Sequence, residues 1–148
     1  MRLAGFGLAA DLPPGWDGRA YRRPPDRADT TTRPVLHAAN FPLPADRGDF
    51  GSGAVETMGP DDVFVAFVEY AADSAGSALF AGHRPAPIRP EHFRPDQLQR
   101  ALPGQGGAQF FFTERGRAFC LYVVLGSYHR RARLVSQVEP VVRELVVT

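Results

Sequence analysis

Side chains able to do chemistry are sparse in this chain of 148 residues. The histidines are His37, His83, His92 and His129. No two of them have the helical spacing that would bring a pair of imidazoles onto one metal ion. His83 with Glu91-His92 comes closest to a cluster, but it lies in proline-rich sequence and reads as solvated loop. His37 falls in a strand-like run and is expected to be a hydrogen-bonded structural residue. Ser52 stands in Gly51-Ser52-Gly53. A nucleophile elbow needs a strand before the serine and a helix after it, and the flanking residues promise neither. Asp61-Asp62 could supply paired carboxylates for acid–base work, yet the same pair suits a turn entering a strand. Gly104-Gln105-Gly106-Gly107 is superficially similar to a phosphate-binding loop, but a strand follows it, so no helix N-terminus is on hand to hold an anion. Cys120, the only cysteine, sits in the most apolar run and reads as a buried, inert thiol. No catalytic, cofactor-binding or metal-ligating set is therefore expected.

Two features suit binding instead. His129-Arg130-Arg131-Ala132-Arg133 places three arginines at the start of a helix. Cations there oppose the helix dipole by about 0.3–1 kcal/mol each. Either nearby acids compensate a solvated arginine face, or this end meets an acidic surface on a partner protein. The run Phe110-Phe111-Phe112 is the second. Alternation turns Phe111 away from its neighbours, so it is core if both faces of the strand are covered and a docking patch if one is open. Arg130, Arg131, Arg133 and Phe111 are thus the candidate partner-binding residues. Trp16 reads as a lid on the core, not a ligand platform.

These residues need a scaffold, and the stretch Gly107 to Leu125 organises it. Two strand-like runs meet at a turn, Glu114-Arg115-Gly116. In the second run Phe119, Leu121, Val123 and Leu125 point one way, and Ala118, Cys120, Tyr122 and Val124 the other. A strand apolar on both faces belongs inside a sheet that is covered on both sides. Val63 to Tyr70 has the same character, with Val63, Val65 and Phe67 opposite Phe64, Ala66, Val68 and Tyr70. Two such strands predict three layers, with helices or long loops on each face of the sheet. Leu3 to Ala10 reads as an edge strand, stopped by Leu12-Pro13-Pro14-Gly15-Trp16, with a second strand from Trp16 to about Arg22. Arg22 to Pro34 is polar loop, and Val35 to Leu43 a strand. Ala45 to Pro60 is loop, with one helical turn near Ala54 to Met58. Ala71 to Pro90 carries little pattern. Phe93 to Leu98 reads as a short helix started by Pro95 and Asp96. The last helix spans about Arg130 to Leu145, with Leu134, Val138, Val141, Val142 and Leu145 as its buried stripe. Pro140 predicts a kink or a break in it.

Composition sets bounds on function. Apolar residues make up 44% of the chain and the formal charge is +1, so the strong basic field of a general nucleic-acid binder is missing. All 17 basic residues are arginine, which with the abundance of Ala, Gly and Pro points to a GC-rich, bacterial genome. The first residues hold no apolar run of signal-peptide length, and no stretch approaches about 18 consecutive apolar residues. The expectation is one cytoplasmic domain over 1–148, with no membrane span.

The strand leading into Leu12-Pro13-Pro14-Gly15-Trp16, the late hairpin carrying Gly116-Arg117-Ala118-Phe119 and the closing amphipathic helix together resemble the PsbP/Mog1-like superfamily. The resemblance covers most of the chain in outline. It implies an antiparallel sheet flanked by helices, and a non-catalytic role, since members include a photosystem subunit, a nuclear-transport factor, lipoproteins and chaperones for secreted effectors. This chain differs from the lipoproteins in having no signal peptide or lipidated cysteine. It differs from the family's pattern in Pro140. The resulting expectation is an α+β fold, an antiparallel β-sheet in a three-layer α/β/α sandwich. The expected function is that of a non-enzymatic protein-interaction module: an adaptor, a chaperone or a subunit of a larger assembly. The rival expectation is a small-ligand-binding domain or enzyme that gathers His37, Ser52 and Asp61 in a pocket beside the sheet.

Overall fold

The structure is a computed structural model and describes residues 1–24 and 32–148. Most of the predicted Arg22 to Pro34 loop, residues 25–31, lies outside the described residues. Among the described residues eight strands form: β1 (Arg2–Gly5), β2 (Leu8–Asp11), β3 (Asp17–Arg22), β4 (Pro34–Ala39), β5 (Val63–Glu69), β6 (Gly106–Glu114), β7 (Arg117–Leu125) and β8 (Val146–Val147). The described residues hold one α-helix, α1 (Arg131–Arg143). Strands β3-β4-β5-β7-β6 make an antiparallel five-stranded sheet, and β1-β2-β8 a small antiparallel one.

The two doubly apolar runs are β5 and β7. They are neighbours inside the large sheet, with Ala66 opposite Tyr122 and Phe67 opposite Leu121. Each of their faces lies in its own core, as alternation demands. Val63, Val65, Phe67, Phe119, Leu121, Val123 and Leu125 pack toward α1 and the small sheet. Phe64, Ala66, Val68, Cys120, Tyr122 and Val124 pack the other way. On the α1 side the rings of Phe67 and Phe119 stack with centroids 4.5 Å apart. The β6–β7 hairpin turns through Arg115 (φ 52°) and Gly116 (φ 74°), the left-handed pair that suits a two-residue hairpin loop.

The three-layer α/β/α expectation is overturned. Two sheets and a single α-helix are present among the described residues, and α1 covers only one face of the large sheet. The opposite face is roofed by irregular chain carrying Leu43, Ala54, Val55, Leu98 and Leu102. A covered face requires apolar side chains, not a helix. Residues 42–60, with three prolines and four glycines among them, cannot hold one. They give only a 3-10 turn at Val55–Thr57.

Other expectations are corrected locally. Leu3 to Ala10 is two strands instead of one, because Phe6 (φ 57°) and Gly7 (φ 80°) fold the chain back on itself. The strand from Val35 stops at Ala39, where the Asn40 amide takes over: its Nδ2 donates to the Asp61 carbonyl and its Oδ1 accepts the Val63 N–H. Phe93 to Leu98 is not helical. Arg94 exchanges backbone hydrogen bonds of 3.0 and 2.9 Å with Gly107 on the border of β6, which holds the chain extended there. Pro140 does not break α1, which runs unbroken from Arg131 to Arg143 with the proline inside it. It sits in the final turns, and the carbonyl that loses its donor belongs to exposed Ser136, where water can replace the bond. Glu139 and Arg143, four residues apart on α1, pair at 3.3 Å.

The outer strands are bordered by polar groups. On β3 the Asp17 carboxylate accepts the Gly18 N–H at 2.8 Å, and Arg19 donates to the Gly18 carbonyl at 2.7 Å. Asp17 also accepts the Leu43 N–H. Burial pushes this carboxyl's pKa up, but the Leu43 N–H, Arg19 and the Gly18 N–H outweigh it and hold the pKa below the ordinary value. On β6, besides the Arg94–Gly107 bridge, the Thr113 N–H donates to the Gly82 carbonyl.

Two arginine forks tie the layers together. Arg117 binds both oxygens of Glu69 on β5 at 3.0 and 2.7 Å and reaches the Thr148 carbonyl. Arg84 grips both oxygens of Glu114 at 3.0 and 2.7 Å and donates to the Val142 and Leu145 carbonyls at the end of α1. It also lies over the Phe67 and Phe112 rings. Lysine cannot reproduce that planar fork. Arg84→Lys is expected to lower stability by about 1–2 kcal/mol, read as a fall in the urea midpoint, and an unchanged midpoint would refute the tie. No helix among the described residues is long and apolar enough to cross a membrane.

Candidate functional site

The structure disperses the residues that a catalytic reading would gather. His37, in the middle of β4, is fully buried. Its Nε2 lies 2.8 Å from the Asp49 carbonyl, and its Nδ1 accepts a hydrogen bond of 2.8 Å from Arg47 Nε. A nitrogen facing a guanidinium must present its lone pair, so the proton resides on Nε2 and donates to Asp49. Burial lowers the pKa of His37 to about 4, so both nitrogens are committed and the ring is neutral near pH 7. Tyr21 completes the group by donating to Asp49 Oδ1 at 2.6 Å, and burial, with the Asp49 carboxylate, raises the pKa of its phenol. This cluster fastens the 41–54 loop to the sheet. Ser52 is an exposed turn residue whose carbonyl accepts the Gly48 N–H. Asp61 is exposed at the turn before β5. No hydrogen bond joins any two of these three.

Cys120 is buried in β7, and burial pushes its thiol up to about 12. It stays protonated and unreactive at neutral pH. His92 Nδ1 accepts the Arg89 N–H, and its ring stands edge-on to Phe110, while His83 is exposed. Among the described residues no three His, Cys, Asp or Glu side chains come together to hold a metal ion. Gly104 to Gly107 leads into β6, with no helix following it.

The three arginines divide. Arg130 pairs with Asp61 Oδ1 at 2.8 Å, and Arg133 reaches the same oxygen. One acid from the β5 turn thus compensates two cations at the start of α1. Arg131 does something else: its guanidinium lies 4.3 Å from the centroid of the Tyr128 ring, and its Nη1 donates to the Tyr128 carbonyl. Phe111 is half-buried against Tyr70 and Phe80, with centroids 6.4 and 5.7 Å away, and closes the irregular side of the core. Trp16 packs against the α1-side core.

Tyr128 and His129 stand between two adjoining hollows. One, of about 570 Å³, is largely apolar, with Pro95, Ala101, Leu102 and Pro103 among its walls. The other, of about 720 Å³, is polar and lined by Glu91, Arg94 and Arg131. The wall is set by close packing. The Tyr128 N–H donates to the Gly104 carbonyl at 2.7 Å, and Gly106 has no side chain where one would stand 2.8 Å from the Tyr128 ring. Beneath the apolar hollow Gln105 is only 6% exposed, and its Nε2 donates to the Val55 carbonyl. Among the described residues Arg94 and Arg131 have no acid within ion-pair distance. None of His37, Ser52 and Asp61 lines either hollow. Sequence reasoning found Arg131 but missed Tyr128, Arg94 and the loop of Pro95 to Pro103. These meet only through tertiary packing of segments some thirty residues apart, which leaves no local periodicity to read.

No family model matches the chain, and neither a curated protein nor a solved structure matches it, so the PsbP/Mog1-like resemblance rests on the quoted turn, hairpin and helix residues alone.

Proposed function

We propose that this chain is a non-catalytic, cytoplasmic protein-interaction module, an adaptor, chaperone or subunit of a larger assembly, that receives its partner beside the start of α1. The observation that carries the reading is the pair of adjoining hollows around Tyr128 and His129, one apolar and one holding two arginines with no acid of their own. Interfaces favour that combination of an apolar floor with aromatic and arginine anchors. The commitment of both nitrogens of His37, the protonated thiol of Cys120 and the separation of Ser52 from Asp61 favour binding over catalysis. The resemblance to the PsbP/Mog1-like superfamily, whose members are mostly non-catalytic, points the same way. Phe111 is assigned to the core, and Arg130 and Arg133 to the Asp61 clamp.

The test is photo-crosslinking in the native host. Benzoylphenylalanine replaces Ala101 in the apolar hollow, or Ser136 on the exposed face of α1 as a control. A defined adduct is expected from position 101 only, and it should disappear when Arg94 and Arg131 are both replaced by glutamate. The same adduct from position 136, or one indifferent to the charge reversal, would refute the reading.

A further inference from the structure

Resting on that docking site, we infer that the partner's contact is a short extended segment bearing one carboxylate beside one large apolar side chain. The carboxylate belongs in the polar hollow between Arg94 and Arg131, and the apolar group in the hollow formed by Pro95, Leu102 and Pro103. Charge complementarity selects the acid. Two guanidiniums face this hollow without acidic partners, whereas Arg130 and Arg133 next door are already held by Asp61. Guanidinium groups prefer planar carboxylates and phosphates, which they can grip with two parallel hydrogen bonds. Glu91 decides between those two, because it lines the same hollow. Its charge opposes a dianion or a polyanionic backbone and leaves room for a single negative charge. The chain's formal charge of +1 likewise gives no field to draw in nucleic acid.

Tyr128 and His129 line both hollows, so the two groups of the ligand must be close neighbours. In an extended peptide, side chains two residues apart emerge on one side about 6–7 Å apart, which places the acid and the apolar residue with one residue between them. Both hollows are open to solvent. Such a surface suits a length of chain passing across it better than a compact metabolite, which binds where most of its surface is enclosed.

The full chain is panned against a displayed library of random octapeptides, and a selected peptide is then titrated calorimetrically. Selected sequences are expected to carry Asp or Glu within two residues of Leu, Ile, Met or Phe. Changing that acid to its amide should weaken binding about tenfold, as should Arg94→Ala or Arg131→Ala, the loss of one charge-assisted contact. Arg130→Ala with Arg133→Ala should leave affinity within about twofold, since those side chains serve Asp61. Selection of peptides without an acid, tighter binding of a phosphorylated peptide or an oligonucleotide, or a library that yields no binder overturns the inference. A surviving adduct at position 101 alongside any of these results would show that the segment's chemistry was misjudged while the docking site stands; loss of both would remove the site itself.

Discussion

A Gly126→Ala chain is expected to lose about 3 kcal/mol of stability or more, the largest effect of any single methyl group here. Gly126 follows the last residue of β7, and its N–H donates to the Asp62 carbonyl at 2.8 Å. A Cβ at this position would overlap the Gly59 carbonyl oxygen and stand 3.0 Å from that of Asp62. Backbone is what it meets, so no side chain can swing away. Either β7 must pull back from the Gly59–Asp62 turn, or that turn must leave the start of β5. Gly104→Ala separates this clash from backbone conformation. Gly104 has φ 82° with nothing within 4 Å of an added Cβ, so its substitution carries only the left-handed strain, about 1–2 kcal/mol. Urea denaturation of both variants measures the difference. A Gly126→Ala midpoint equal to or above that of Gly104→Ala would contradict the packing described. Because Tyr128 follows two residues later, the same substitution should also distort the wall between the two hollows.

The protein is expected to lose on the order of 3 kcal/mol of stability between pH 7 and pH 4 through His37 alone. Its folded pKa is about 4, below the ordinary value of 6.5, and each unit of difference is worth about 1.4 kcal/mol. In this window the unfolded chain takes up a proton that the folded chain refuses, so stability falls as pH drops through 6.5 and levels off below about 4. The direction follows from burial, which disfavours the imidazolium, and from Arg47, which already faces Nδ1. Chemical denaturation at a series of pH values measures it, with His37→Gln as comparison. Glutamine can still donate toward Asp49 but does not titrate. The variant should be less stable at pH 7 and show a flatter profile between pH 4 and 6.5. Parallel profiles for the two proteins would rule out the buried neutral histidine.

Much of the scaffold was readable because the relevant signal was local. Alternation alone assigned Phe119 and Leu121 against Cys120 and Tyr122, and the same rule separated Phe111 from Phe110 and Phe112. The stripe from Leu134 to Leu145 located α1 for the same reason, since its spacing matches one helical face. The second cover of the sheet was misread. Leu43, Val55, Leu98 and Leu102 reach the core from segments interrupted by proline and glycine, so they share no period, and a helix was inferred where irregular chain suffices. The arginine cluster shows the limit most clearly. Its compensating acid, Asp61, is 69 residues away from Arg130 in the chain, and Asp61 itself read as a candidate acid–base group. Arg94 was lost for a related reason: its exchange with Gly107 is a sheet-border contact, and the neighbouring Pro95-Asp96 carried a helix-start signal that this contact overrides.

The bordering of the large sheet has a consequence for crowding. Strand-by-strand growth into fibrils requires an uninterrupted ladder of vacant amides and carbonyls. On one flank Gly18 spends both of its backbone groups on the side chains of Asp17 and Arg19. On the other, Gly107 and Thr113 are engaged by crossing loops at either end of β6. A newcomer strand meets a blocked rung at Gly18 on β3 and at Gly107 and Thr113 on β6, which makes templated polymerisation through this sheet unfavourable even when the protein is concentrated. Assembly with other molecules at the borders of this sheet is thereby left to side-chain recognition.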